Sequence, residues 1–536
     1  MASWRSVALK KKAEQEALIP KEWRLDPIPS SNDVSSIPET CGLLDANELE
    51  FTNSDIAVLL DKLAQGHWSS VSVTKAFSKR AIIAHQLTNC LTEIFIERAL
   101  GRAAELDEYL KSTGNVRGPL HGLPVSLKDQ INVEGLESCM GYISWIGQFA
   151  ERNAVVADIL EEAGAILFVK TNIPQTLMWP ETFNHVFGRT SNPYNRSLTC
   201  GGSSGGEGTL VAMRGSPLGV GSDIGGSVRI PAAFCGTYGL RPSYGRAAST
   251  PSKVKIQYHP LAVRKRWSED EYRLADHGEG KQLCFAILWD DGIITPHPPI
   301  TRGLRMAKEA LLRAASSFQV IDWKAHKHSE MYSTLSEIWA SGAEEDYGTV
   351  AAPTGEPVIA SMSLENQIAL EGGFDHNSIP RSAYQLWQLH RKKRDLREEH
   401  LQVWEDTVKI TGTGRPVDAI ISPVAPYAAV GHGNNKSANY TAVWNLLDYT
   451  ALVIPVAQVD SKLDSVNLPQ LFHSHIDRRV SELLNAGNQH LVDNPEDFEN
   501  APISLQVIGR TLEEEAVIGM GEILDTALKV IKVETK

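Results

Sequence analysis

Two glycine- and serine-rich runs constrain this chain more than any other feature. Cys200-Gly-Gly-Ser-Ser-Gly-Gly-Glu-Gly208 is followed by Gly219-Val-Gly-Ser-Asp-Ile-Gly-Gly-Ser-Val-Arg-Ile-Pro231, with ten glycines between Gly201 and Gly226. Glycine lets backbone N–H groups approach a substrate closely and tolerates positive φ angles that a side chain penalises. The stretch reads as a catalytic loop, and its serines are candidate nucleophiles.

Three glycine motifs are weighed against that reading. Gly201 to Gly206 fits the opening of a phosphate-binding loop, but Glu207 stands where that loop needs lysine and would repel a phosphate. From Gly219 the third glycine comes one place late for a dinucleotide fingerprint, and no acidic ribose partner is evident. Gly202-Ser-Ser-Gly-Gly206 satisfies G-x-S-x-G with Ser204 central, yet the residues before it, Asn192 to Thr199, read as a loop where a nucleophile elbow needs a strand.

A serine hydroxyl needs a base. Lys128 ends Gly118-Pro-Leu-His-Gly-Leu-Pro-Val-Ser-Leu-Lys-Asp129, in which Pro-Val-Ser-Leu reads as a short buried strand after a turn. Position alone favours an ordinary surface lysine. At a buried strand end, desolvation disfavours the ammonium and favours a neutral amine able to accept a proton.

Lys128 stands 75 positions before Ser203, and Ser203 stands 24 before Ser227. With the flanking words SLKDQ, GGSSGGEG and GSDIGGSVRIPAAFCGTYGLRPS, this arrangement resembles the amidase signature family, whose enzymes use a Ser–Ser–Lys triad. The resemblance implies Ser227 as the acyl-forming nucleophile, Ser203 as the bridging serine after a cis peptide bond, and Lys128 as the terminal base. It also implies an oxyanion hole from the backbone N–H groups of Ile224, Gly225, Gly226 and Ser227. Leu177, in Thr171-Asn-Ile-Pro-Gln-Thr-Leu-Met-Trp179, matches a substrate contact, and Ser203 and Ser227 complete the substrate-binding set. Ser204 could serve as the bridge, but the spacing favours Ser203. Asp223 and Arg229 read as a charged pair that organises the loop.

Apolar runs at Leu123–Leu127, Ala165–Val169, Leu218–Val220, Leu283–Leu288, Ala419–Ser422, Leu452–Val456 and Ser504–Ile508 alternate with helical stretches. The expected fold is α/β, a single large domain whose twisted mixed sheet is covered by helices on both faces, as the resemblance also implies. Residues 1–50 are read as a helical or extended arm and 51–536 as the amidase domain. Ile19-Pro-Lys-Glu-Trp23 and Gln506-Val-Ile-Gly-Arg510 are similar to words of fungal acetamidase-type amidases. A formal net charge of −13 argues against nucleic acid as substrate. Six scattered cysteines and the lack of an apolar leader or span give a cytoplasmic expectation, with no membrane partner. The expected partner is a small-molecule amide, no cofactor or metal is expected, and a homodimer is left open.

Other constellations carry less. Ser72-Val-Thr-Lys75 fits S-x-x-K in a plain helical stretch. His473, His475 and Asp477, like His326 and His328, read as solvated polar segments rather than metal ligands. Arg381–Glu405 reads as a solvated helix with an apolar stripe at Leu386, Leu389 and Leu396. Residues 247–282 depart from the family pattern: they are polar and basic, and the stretch is about thirty residues short by loop-length expectation. The activity expected is that of a serine amidohydrolase cleaving a small carboxamide to carboxylic acid and ammonia through an acyl-enzyme. The alternatives are an amidase-fold protein weakened or inactivated by that departure and a glutaminase-type amidotransferase subunit.

Overall fold

Helices alternate with short buried strands, as the apolar runs predict. The structure is a computed structural model and describes residues 3–246, 265–359, 380–464, 472, 477 and 498–534. The described residues fall into two compact units, one of residues 3–222 and 347–359, the other of 223–246, 265–346 and those from 380 onward.

The first unit holds β1 (Leu91–Ile94), β2 (Pro124–Lys128), β3 (Ile166–Thr171), the two-residue strands β4 (Phe183–Asn184) and β5 (Gly188–Arg189), and β6 (Leu218–Val220). Its four-stranded sheet has the order β1-β3-β2-β6, with β2 parallel to both β3 and β6 and β1 antiparallel. Every residue of β2 and β3 is buried, as expected of parallel strands covered on both faces. Pro124 sits at the first position of β2, where a missing N–H costs no ladder bond. Helix Val155–Glu162 lies between β2 and β3 in the chain, and helix Gly205–Ala212 lies between β3 and β6. Loops therefore leave the carboxyl ends of parallel strands, where open α/β sheets bind ligands.

The second unit holds β7 (Gly239–Arg241), β8 (Cys284–Leu288), β9 (Gln319–Trp323), β10 (Ala419–Pro423), β11 (Ala451–Gln458) and β12 (Pro502–Ile508), in the order β7-β11-β12-β10-β8-β9. It too is mixed, with β8 parallel to β9 and β10 and the remaining pairs antiparallel. Helices Pro298–Ala314 and Glu514–Glu534 contribute to one apolar cluster with it, and Trp323, Trp404 and Trp444 to another. The α/β architecture is as expected, but among the described residues the strands pair into a four-stranded and a two-stranded sheet in the first unit and a six-stranded sheet in the second, rather than into a single sheet. Apolar runs mark which residues form strands and leave their pairing partners open.

All seven expected strands are present, with ends shifted by two residues or fewer. The expected boundary at residue 50 falls within helix Ala46–Asn53. Further upstream, helix Trp4–Ala17 docks on β1, with Gln15 Nε2 donating to Leu91 O and Thr92 O at 2.8 Å each. The basic-rich helix is Ala383–Asp406, started by a Ser382/Gln385 capping box, and of its three stripe leucines only Leu396 is fully buried. Among the described residues no helix is long and apolar enough to cross a membrane.

One histidine reading is corrected. His328 is 2% exposed at the start of helix His328–Ala340, edge-on to Trp444, and not in a solvated loop. Among the described residues neither of its ring nitrogens has a hydrogen-bond partner, and His400, fully buried nearby, has only its Nδ1 near Tyr449 Oη at 3.3 Å. Burial pushes His328 down to about 4 and His400 to about 3 from an ordinary 6.5. Both rings protonate more readily in the unfolded chain, so the unfolded state takes up protons first as pH falls. Stability from these rings is complete above 6.5 and is lost as pH falls toward 4, by on the order of 3 kcal/mol for each ring. Thermal melts should show the midpoint falling between those pH values, and His400→Phe should flatten that fall.

Candidate active site

Lys128 closes β2 and is fully buried, which removes the surface-lysine reading. Its Nζ donates to Ser203 Oγ at 2.7 Å and to Ser222 Oγ at 2.9 Å, and Ser222 Oγ donates onward to Gln130 Oε1 at 2.8 Å. Burying an amine without polar partners costs several kcal/mol, and these hydroxyls meet that need. Ser222 and Gln130 were not singled out from the sequence. Ser222 lies in the second glycine-rich run, two residues past β6, and only the parallel pairing of β6 with β2 brings it to Lys128.

Ser203 follows a cis Gly202–Ser203 peptide bond and stands one residue before Ser204, the N-cap of helix Gly205–Ala212. That helix packs against backbone: a Cβ on Gly206 would sit 2.4 Å from Asn172 N and 2.6 Å from Cys90 O, so glycine is the residue that fits. Ser204 turns to Ser222 instead, its Oγ donating to Ser222 O at 3.3 Å. No strand leads into the G-x-S-x-G run; residues 191–199 carry only an isolated bridge between Ser191 and Thr199.

Ser227 belongs to the second unit, 9% exposed in the loop before helix Arg229–Phe234. Asp223 organises this loop. Its carboxylate accepts the N–H groups of Gly226 (2.8 Å), Val228 (3.1 Å) and Arg229 (3.3 Å), both Nε and Nη2 of Arg229 (3.0 Å each), and Asn445 Nδ2 (2.9 Å). Burial alone would raise the Asp223 carboxyl, but the Arg229 guanidinium and Asn445 hold it well below the usual carboxylate range. Arg229, fully buried, also donates to Thr441 O, Gln506 Oε1 and Asn445 Oδ1. The loop-organising role read from the sequence is the one these contacts perform.

Gly226 has φ +135°, and a Cβ there would meet Thr441 Oγ1 at 2.3 Å. Thr441 Oγ1 donates to Gly225 O at 2.6 Å, which turns that peptide's N–H side away from Thr441. Of the four N–H groups expected to bind an oxyanion, that of Gly226 is already donated to Asp223. Those of Ile224, Gly225 and Ser227 have no protein acceptor among the described residues.

Leu177 lies in the first unit in a backbone segment with two consecutive non-glycine residues at positive φ, Thr176 at +70° and Leu177 at +64°. Such strain persists only where surroundings over-determine it and concentrates at ligand sites. Leu177, like Trp145 and Val350, packs against a cluster of Met140, Tyr142 and Ile173. Glu356 fastens the segment that carries Val350: it accepts the N–H groups of Ile143 and Ser144 at 3.0 Å and Gln175 Nε2 at 3.1 Å. Glu356 lies 179 residues beyond Leu177, and no local pattern announces it.

The remaining sequence candidates are not brought to this site. Ser72 is exposed in the first turn of helix Ser70–Thr88, bonded to Ser69, and Lys75 is exposed. His473 and His475 lie outside the described residues, whereas Asp477 accepts from Thr295 N and Oγ1 at 3.1 Å.

The Amidase family model matches residues 72–263 and 253–518, two pieces that meet inside the segment flagged as atypical. The chain is 37% identical to the acetamidase of Aspergillus oryzae over 557 aligned positions, covering 97% of this chain and 98% of that protein. That alignment exceeds the chain's 536 residues, so the acetamidase carries residues absent here. The acetamidase of Emericella nidulans is also 37% identical, with 97% of each chain covered. A solved structure of a fatty acid amide hydrolase matches with TM-score 0.83 and 28% identity, covering 98% of this chain and 95% of that one. A family match running from residue 72 to 518, and relatives aligned almost end to end at over a third identity, show that this chain belongs to the amidase family and is an amide hydrolase.

Proposed function

We propose that the chain is a serine amidohydrolase that converts a small carboxamide to a carboxylic acid and ammonia through an acyl-enzyme on Ser227. The observation that carries this reading is the buried Lys128 amine bonded to Ser203 Oγ at 2.7 Å. Ser227 Oγ attacks the amide carbonyl carbon while its proton passes to Ser203, whose own proton passes to neutral Lys128. The oxygen of the tetrahedral adduct is met by the N–H groups of Ile224, Gly225 and Ser227, and the N–H of Gly226 serves the loop through Asp223. Collapse breaks the C–N bond, and the proton held by Lys128 returns along the same path to the departing nitrogen. Water then attacks the ester, losing a proton to the relay, and Ser227 leaves with that proton restored.

Leu177 and the apolar side chains around it form the wall against which the acyl group lies, and no ionic group is needed to bind it. The relatives named acetamidase favour a small substrate. A cytoplasmic location is part of the reading, supported by six cysteines that are all free thiols. The inactive-relative reading requires a loosened loop at Ser227, and the hydrogen bonds converging on Asp223 argue against that. Nothing in the structure favours the amidotransferase subunit.

A fluorophosphonate probe should label the purified protein at one site, read as a single mass increment. Ser227→Ala should abolish labelling, and Lys128→Ala should slow it by at least about 10²-fold. An unlabelled folded protein would sink the proposal. Labelled protein should then release ammonia from acetamide, benzamide or longer amides. Asp223→Ala should lower unfolding free energy by about 3–5 kcal/mol, because it strands the Arg229 charge. Denaturant melts measure that loss, and labelling should fall with it; Asp223→Asn, which keeps an acceptor, should lose less of both.

A further inference from the structure

A carboxylate is buried on the same sheet face as Lys128. Glu207, the third residue of helix Gly205–Ala212, is 6% exposed. Its Oε2 accepts from Ser126 Oγ at 2.6 Å and its Oε1 from Thr171 Oγ1 at 2.9 Å. Ser126 precedes Lys128 by two residues on β2, so both side chains leave the same face. Thr171 is the register partner of Lys128 on β3, and Gly219 is the register partner of Ser126 on β6. A Cβ on Gly219 would sit 2.1 Å from Glu207 Oε2, so β6 carries glycine where the carboxylate needs room. Three adjacent strands each give one residue to seat this carboxylate beside the base.

We propose that Glu207 is a positioning residue for the base, its charge setting the pH at which Lys128 can take the proton relayed from Ser227 through Ser203. The inference rests on the Ser227–Ser203–Lys128 reading above. Burial pushes the Glu207 carboxyl up to about 7, against the opposing pull of the Ser126 and Thr171 hydroxyls and of Lys128. The carboxyl therefore changes charge in the neutral range. Ionised, it supports the Lys128 ammonium and withholds the neutral amine; protonated, it withdraws that support. The other titratable group facing Glu207 among the described residues is Cys90, whose thiol burial pushes up to about 12, so it stays protonated across this range. The sequence reading used Glu207 only to exclude a phosphate loop, and the motif itself gives the residue no further role.

The test is the pH dependence of fluorophosphonate labelling and of kcat/KM for ammonia release in wild type, Glu207→Gln and Ser126→Ala. Glutamine keeps the shape and hydrogen-bonding capacity but removes the charge. The midpoint of the rising acidic limb should move to lower pH by about one unit in Glu207→Gln. Ser126→Ala removes one of the two hydroxyls that support the ionised carboxylate, so the limb should move the same way by less. It decides the question if Glu207→Gln fails to fold. A limb that stays in place or moves up in the folded variants, whatever the plateau rate does, overturns the proposal and leaves Glu207 a structural residue. Labelled wild type with an unmoved limb overturns this inference alone, whereas a folded wild type that takes no label at any pH overturns the Ser227 reading and this one together.

Discussion

The amine of Lys128 has no exposure to water, and that single burial dictates much of the architecture around it. A desolvated amine demands polar partners with good geometry, and each partner comes from a different piece of chain: Ser203 from the turn before helix Gly205–Ala212, Ser222 from just beyond β6. Gln130 in turn orients Ser222. These groups meet because β2 is parallel to β3 and β6, so all three strands release their next residues at the same end of the sheet. The glycine that lets the helix approach backbone, Gly206, is a consequence of the same convergence. A bulkier residue there would displace the helix and with it the hydroxyl that meets the amine.

The second unit holds a loop, residues 223–229, in which some backbone N–H groups have no protein acceptor among the described residues. Unpaired donors are costly, and a loop left to itself would fold them onto its own carbonyls. Asp223 prevents this by accepting a selected set of N–H groups, those of Gly226, Val228 and Arg229, while those of Ile224, Gly225 and Ser227 have no protein acceptor among the described residues. Its charge is balanced by Arg229, whose remaining donors are committed to Thr441, Gln506 and Asn445. A buried ion pair of this kind is poor as a source of stability and effective as a source of specificity, because only one backbone path satisfies every donor.

What the sequence made legible follows from what each signal encodes. The strands in apolar runs, such as Cys284–Leu288 and, interrupted only by Ser504 and Gln506, Pro502–Ile508, are readable because strands buried on both faces show mostly apolar side chains. Short strands such as Gly239–Arg241, and the half-buried Gln319–Trp323, lacked that signature. Lys128, Ser203 and Ser227 were found through spacing and flanking words, and the first two now stand within hydrogen-bond distance. Ser222, Gln130, Glu207 and Glu356 act through partners fixed by strand register or by distant chain segments, and no local pattern encodes those. His328 was misread for the same reason: a histidine beside other polar residues looks solvated until Trp444 is known to cover it. Gly226 was assigned an oxyanion role because four consecutive N–H groups look equivalent in sequence, and only the Asp223 carboxylate distinguishes them.

The atypical stretch after Arg246 bears on activity through what holds the catalytic loop, and the contacts identify that. Residues 265–274 are fastened to helix Glu514–Glu534: Lys265 pairs with Glu515 at 3.2 Å, Tyr272 bonds Glu522, and Leu274 is buried in the cluster that this helix helps to build. Arg246, on the near side, pairs with Glu514 and Glu515 of the same helix. The chain on both sides of 247–264 is thus tied to one element by ion pairs and apolar burial. The loop carrying Ser227 takes its shape from other residues: Arg229, Thr441, Asn445 and Gln506, on two helices and on β12. The two anchorages share none of these residues, so the contacts that shape the Ser227 loop are independent of those that fasten the chain on either side of 247–264.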